Sequence, residues 1–144
     1  MTVKDVMTRD PVTVEPEAPL RAASELMRTT GIHHLPVVGP GGRLIGIITD
    51  RDLMHAALFP ALADQLPWDA RRLKSLRVRD AMTWAVVTTR PDATLTEAGL
   101  VMVERHIGSL PVVEGGQLVG VLTERDLLKA LRRDIGRDAD AFLW

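Results

Sequence analysis

The sequence predicts an α/β fold built from two tandem β-α-β-β-α repeats related by an approximate two-fold axis. Three observations carry that prediction: a long internal repeat, a change of hydrophobic period within each copy, and glycine-rich turns at matching places between apolar runs. A shift of 75 residues aligns Val3 with Val78, Asp5 with Asp80, Met7-Thr8 with Met82-Thr83, and Val12-Thr13 with Val87-Thr88. The same shift aligns Leu35-Pro36-Val37-Val38 with Leu110-Pro111-Val112-Val113. It then drops to 74, pairing Gly46, Thr49, Arg51, Asp52 and Leu53 with Gly120, Thr123, Arg125, Asp126 and Leu127. The single-residue gap falls in a turn, where GPGGRL of the first copy is one residue longer than EGGQL of the second. The expected organisation is repeat 1 over 1–58, a linker over 59–77, repeat 2 over 78–132 and a C-terminal tail over 133–144.

Within each copy the elements follow in order. PVTVE is expected as a short strand, with AVVTT as its counterpart in the second copy. A helix follows. Pro19 suits its first position in copy one, and Thr94 with Glu97 spells a capping box in copy two. Leu20, Ala23 and Met27, spaced three and four apart, share one helix face. LPVV and RLIGIIT flank GPGG and predict a hairpin, as EGGQ does in the second copy. These apolar runs do not alternate cleanly, so both faces of the strands should be covered. The closing helix begins at TDRD or TERD. A copy of about 55 residues buries only a marginal core. Two copies should therefore cover each other's sheets, leaving clefts between the halves. In the linker, Pro67 and Asp69 suit the start of a short helix with Trp68 and Leu73 on its apolar side. In the tail, Phe142, Leu143 and Trp144 should pack on the chain itself or on a partner subunit.

Composition narrows the function classes. The chain has 144 residues, 46% of them apolar, and a formal net charge of −1. A net charge this near zero argues against nucleic acid. Only the cluster of Arg71, Arg72, Lys74, Arg77 and Arg79 keeps a nucleic-acid-linked regulator as a rival. With no cysteine there is no disulfide, thiolate metal site or Cys nucleophile, and a reducing compartment is suited. MTVKDVMTRDPV has no long apolar stretch of the secretory kind, and no run approaches a membrane span, so a cytoplasmic protein is expected. No G-x-S-x-G, P-loop, G-x-G-x-x-G or zinc signature is present, so no enzyme is expected.

The ordered pattern V-x-D-x-M-T, h-P-V-V and G-h-h-T-x-R-D-L, twice in tandem, resembles the CBS domain family, in which a tandem pair is called a Bateman module. The length and format are similar to the short stand-alone bacterial CBS-pair proteins. The resemblance implies a non-catalytic regulatory module. Such modules bind adenosine-containing ligands (AMP, ADP, ATP, S-adenosylmethionine or an NAD-like dinucleotide) in clefts between the repeats and signal to a partner protein. It also implies a homodimer and no required cofactor. In the family the T-x-x-D aspartate takes the ribose hydroxyls and the threonine sits near ribose or phosphate, which here points to Thr49 and Asp52 and to Thr123 and Asp126. Elementary chemistry agrees: a carboxylate accepts from two vicinal hydroxyls, and the free N–H groups of the adjoining helix start favour anions. Arg51 and Arg125 lie in the same first turn and would add charge-assisted bonds to phosphate. The resemblance places Val12-Thr13 and Val87-Thr88 by the adenine. It places His33, His34 and Ser109, just before L-P-V, near the phosphates, where protonated histidine would bind best. His33 and His34 are adjacent on a strand and point to opposite faces, so a shared metal ion is not expected.

Two plainer readings stand beside these. T-x-x-D at a helix start also spells a capping box with Asp in place of Glu. The alternative function is a ligand-free structural scaffold for dimerisation and protein interaction.

Overall fold

The structure, a computed structural model, describes residues 1–56, 76–84 and 86–137, the last four of these by their backbone only. The helix expected near Pro67 and the apolar tail at Phe142–Trp144 lie outside the described residues.

The elements, in order, are α1 (Val3–Val6), β1 (Thr8–Arg9), α2 (Leu20–Thr30), β2 (His34–Val38), β3 (Leu44–Thr49), α3 (50–56), α4 (Val78–Ala81), α5 (Leu95–Arg105), β4 (Ser109–Glu114), β5 (Gln117–Thr123) and α6 (Glu124–Arg137). They form two compact units. One comprises Val12–Val86, and the other Met1–Pro11 with Val87–Trp144. Each unit is thus a repeat whose opening segment has been exchanged for that of the other copy.

In the Val12–Val86 unit, β2 and β3 form an antiparallel hairpin in register His34↔Thr49 to Val38↔Leu44, with a bulge at Val37/Val38. Thr83 joins it through an antiparallel bridge to Ile47. In the other unit, β4 and β5 pair from Ser109↔Thr123 to Glu114↔Gln117, with the same bulge at Val112/Val113. There β1 adds a third strand, Thr8↔Val121 and Arg9↔Gly120. The second hairpin turns through Gly115 and Gly116 at φ 60° and 81°. That pair of positive φ values is what a two-residue turn matched to strand twist requires.

Each unit has its own apolar core, and the exchanged segment completes it. Leu20, Ala23, Met27, Leu35, Val37 and Ile48 enclose Val78 and Met82 in one. Ala98, Met102, Leu110, Val112 and Leu122 enclose Val3 in the other. Val3 and Val78, equivalent in the repeat, are both fully buried. Main-chain bonds fix the exchange. Val78 N–H donates to Ala18 O at 2.9 Å and Leu20 N–H to Leu76 O at 2.9 Å; Val3 N–H donates to Ala93 O at 2.9 Å. Consecutive Leu35, Pro36 and Val37 are all buried, so both faces of β2 are covered, as the unbroken apolar run implies.

Two details differ from expectation. PVTVE and AVVTT do not form strands: among their described residues only Val14 and Thr89 bridge, in parallel, to Val37 and Val112. Pro11 and Pro16 remove donors at both ends of the first segment. What remains is one residue's pair of bonds, Val14 N–H to Pro36 O and Val38 N–H to Val14 O, both 3.0 Å. The pairing strand is instead Thr8–Arg9. Pro19 stands one place earlier than expected, as the N-cap of α2 with extended ψ of 140°.

Candidate functional site

Thr49 ends β3, and α3 starts at the next residue. The Thr49 N–H donates to Asp52 Oδ2 at 3.0 Å, and the Asp52 N–H donates to Thr49 Oγ1 at 3.1 Å. The second copy repeats this: Thr123 N–H to Asp126 Oδ2 at 3.0 Å and Asp126 N–H to Thr123 Oγ1 at 3.2 Å. Both T-x-x-D motifs are therefore reciprocal capping boxes, with aspartate in the role usually taken by glutamate. Capping does not exhaust the aspartate. A carboxylate has about four lone-pair sites, and the cap uses one oxygen and fixes the direction of the other.

For Asp52 that other oxygen, Oδ1, has no hydrogen-bond partner among the described residues. Asp52 lines an open cleft of about 500 Å³ together with Arg51, His55, Ala56, Asp80, Ala81, Met82 and Thr83. The whole cleft lies within the Val12–Val86 unit. One wall is the first turns of α3 and the other is the exchanged segment that opens the second copy. Thr83 is held there by two main-chain bonds to Ile47, 2.8 and 3.0 Å. Asp80 is turned to its own helix start, its carboxylate accepting from Arg77 N–H at 2.8 Å. The cleft thus presents a fixed carboxylate, a helix N-terminus and two basic side chains. A diol can be accepted by the carboxylate and an anion by the rest. Its size is in the range of small-molecule sites.

The predicted residues divide between the units. Val12, Thr13, His33, His34, Thr49, Arg51 and Asp52 belong to one; Val87, Thr88, Ser109, Thr123, Arg125 and Asp126 belong to the other. Of the first set, Arg51 and Asp52 line the cleft and Thr49 is bonded to Asp52. Val12, Thr13, His33 and His34 are not among its lining residues. His33 Nδ1 sits 3.4 Å from Asp50 Oδ2, both side chains exposed, and His34 pairs with Thr49 across the hairpin. In the second set Ser109 is buried opposite Thr123. The Asp126 carboxylate also receives the Thr8 hydroxyl, at 3.5 and 3.4 Å.

Four cleft residues carry signals legible in the chain but not tied to a site in advance. His55 lies three residues after Asp52 and four after Arg51, on the same helix face. Asp80, Met82 and Thr83 belong to the repeated V-x-D-x-M-T motif. Of the basic cluster, Arg77 and Arg79 are engaged with Glu17: Arg79 Nη1 lies 3.0 Å from Glu17 Oε1, and Arg77 Nη1 donates to Glu17 O at 2.6 Å. Arg71, Arg72 and Lys74 lie outside the described residues. Among the described residues no three His, Asp or Glu side chains gather as a metal site needs, and no helix is long and apolar enough to cross a membrane.

Comparison with solved structures places this geometry. A Vibrio cholerae protein provisionally named AcuB, for acetoin utilization, is 29% identical with a TM-score of 0.82, covering 97% of this chain and 96% of that one. The CBS domain pair of protein MJ0100, in complex with 5′-methylthioadenosine and S-adenosyl-L-methionine, is 26% identical with a TM-score of 0.75 over 93% of this chain and 98% of that one. CBSX2 of Arabidopsis thaliana, in complex with AMP, is 29% identical with a TM-score of 0.79 over 92% and 97%. The family model for the CBS domain matches twice, at residues 3–58 and 78–133. The chain belongs to the CBS domain family, as a tandem pair.

Proposed function

We propose that this chain is a non-catalytic regulatory module that binds an adenosine-containing ligand (AMP, ADP, ATP, S-adenosylmethionine or an NAD-like dinucleotide) and passes its occupancy to a partner protein. The observation that carries this reading is Asp52, whose Oδ1 has no hydrogen-bond partner among the described residues. Its carboxylate is fixed by the cap, and the residue lines a cleft beside a helix N-terminus with Arg51 and His55 on the same wall. Asp52 takes the ribose diol, and the helix start with Arg51 takes the anionic end. Asp126, Thr123 and Arg125 supply the same groups in the second copy. Val12, Thr13, Val87 and Thr88 are assigned to the adenine, and His33, His34 and Ser109 to the phosphate side, on family resemblance. The related pairs that hold AMP, 5′-methylthioadenosine and S-adenosyl-L-methionine support the ligand class. The module works in the cytoplasm, requires no cofactor and catalyses nothing itself.

The partner reading has its own observation. Leu100 and Val103 on α5, and Leu128 and Leu131 on α6, are 56%, 72%, 65% and 56% exposed. Each pair is spaced by three and so shares a helix face. These faces suit a homodimer, which light scattering of the chain at micromolar concentration would register as twice the monomer mass.

Thermal unfolding tests the ligand reading. AMP, ADP, ATP, S-adenosylmethionine and NAD are each added at millimolar level to wild type, Asp52→Ala and Asp126→Ala. A ligand at roughly 100 times its Kd adds about 2.7 kcal/mol to the folded state, which for a chain of this size raises the midpoint by about 3–6 °C. A shift from one ligand, lost in one variant, supports the reading. No shift from any ligand, with the variants merely less stable, leaves T-x-x-D as caps and favours the ligand-free scaffold.

A further inference from the structure

The two capping boxes match within 0.1 Å in their main-chain bonds, yet their carboxylates differ in what else they hold. We infer that the two are unequal sites: Asp52 is the open ligand carboxylate, whereas Thr8 occupies Asp126 as a built-in substitute for a ligand hydroxyl. This deepens the proposed function and rests on it.

Thr8 opens β1 and is held opposite Val121 by a two-residue ladder in the same unit. From there its hydroxyl reaches both oxygens of Asp126, at 3.5 and 3.4 Å. A sugar hydroxyl would make this same contact: an aliphatic O–H donating to a carboxylate. Thr83, the repeat equivalent of Thr8, has only the single bridge to Ile47. It lines the cleft beside Asp52, but among the described residues its hydroxyl makes no bond to that carboxylate. The length of the Thr8 contact marks it as weak and displaceable. An incoming diol at Asp126 competes with it for the carboxylate, whereas at Asp52 no hydroxyl among the described residues competes. The ligand therefore fills the Asp52 cleft first, and Thr8 sets how much weaker the second site is. A contact this long sits at the low end of what an intramolecular hydrogen bond contributes, which corresponds to roughly 2–3-fold in affinity.

Calorimetric titration of the full chain with AMP, and separately with S-adenosylmethionine, tests this on wild type, Asp52→Asn, Asp126→Asn, Thr8→Val and Thr83→Val. The expected result is a tighter step that Asp52→Asn removes, and a weaker step that Thr8→Val strengthens by about 2–3-fold while Thr83→Val strengthens neither. A tighter step that survives Asp52→Asn and disappears in Asp126→Asn overturns the inference but leaves the ligand reading intact. So does a Thr8→Val chain with both steps unchanged. No binding of either ligand by any chain overturns both. Should Thr8→Val lose its fold by circular dichroism, Thr8→Ala, which also removes the hydroxyl, takes its place.

Discussion

Gly46 lies so close to the backbone carbonyl of Thr83 that no side chain fits between them: a Cβ at position 46 would overlap that oxygen and press on Met82 Cε. The repeat preserves the relationship, since a Cβ at Gly120 would lie 2.7 Å from Met7 Sδ and 2.9 Å from Thr8 O. The glycine of each G-h-h-T motif is thus the place where the exchanged segment meets the hairpin. Gly46→Ala is expected to destabilise by about 1–3 kcal/mol through overpacking, and to weaken ligand binding by moving Thr83 on the cleft wall. Gly99→Ala is the control. Its Cβ would meet only Leu127 Cδ1 at an ordinary 3.9 Å, and an alanine inside α5 should gain about 0.5–1 kcal/mol. Urea unfolding of the two variants should move the midpoint in opposite directions.

The cap and the proposed ligand contact can be separated at Asp52. Glutamate is the usual residue at the N3 position of a capping box, so Asp52→Glu should keep the bonds to Thr49 and hold stability within about 0.5 kcal/mol. The carboxylate then reaches about one methylene further and misses the diol, so AMP or S-adenosylmethionine affinity should fall by roughly tenfold or more. Asp52→Ala, which loses both roles, should in addition destabilise by about 0.5–2 kcal/mol. Unchanged affinity in Asp52→Glu would count against the diol contact.

What could be read in advance was what is local. The capping boxes at Thr49/Asp52 and Thr94/Glu97 and the hairpin turn at Gly115-Gly116 depend on residues a few positions apart, and turn chemistry writes them into the chain. The tandem pair followed from the repeat itself. The exchange of opening segments was not legible. Val3 and Val78 align perfectly in the repeat, and nothing in an alignment says which copy's core each enters. The cleft depends on that exchange, so Asp80 and Thr83 were missed as cleft-lining residues. β1 is two residues long and shows no period, while PVTVE alternates well but lies between prolines.

Asp5 gives the chain a pH signature. The Thr2 main-chain N–H and hydroxyl both donate to its Oδ2, at 2.8 and 3.0 Å, and hold its carboxyl below the ordinary aspartate value. A depressed folded-state value stabilises above the unfolded pKa, and that contribution is lost as pH falls through the folded one. Asp5→Asn should therefore be less stable than wild type at pH 7, with the difference shrinking as pH drops below about 4. Asp5 is fully exposed, so the effect is small and best read as a difference in midpoint between pH 7 and pH 3. A constant difference across that range would contradict the assignment.

The helix ends of the two copies differ in a way that predicts an improvement. Gly31 closes α2 at φ 71°, its N–H donating to Met27 O at 2.9 Å, and His106 closes α5 in the same left-handed region at φ 54°. Glycine occupies that region freely, whereas a residue with a Cβ is strained there. His106 is exposed and its main-chain bonds do not need the imidazole. His106→Gly should stabilise by about 0.5–1 kcal/mol, the relief of strain exceeding the entropy glycine adds to the unfolded chain. Gly31→Ala should destabilise by a similar amount. Chemical denaturation of the two variants measures both, and His106→Gly should leave ligand affinity unchanged. A less stable His106→Gly would mean that the imidazole itself holds the end of α5.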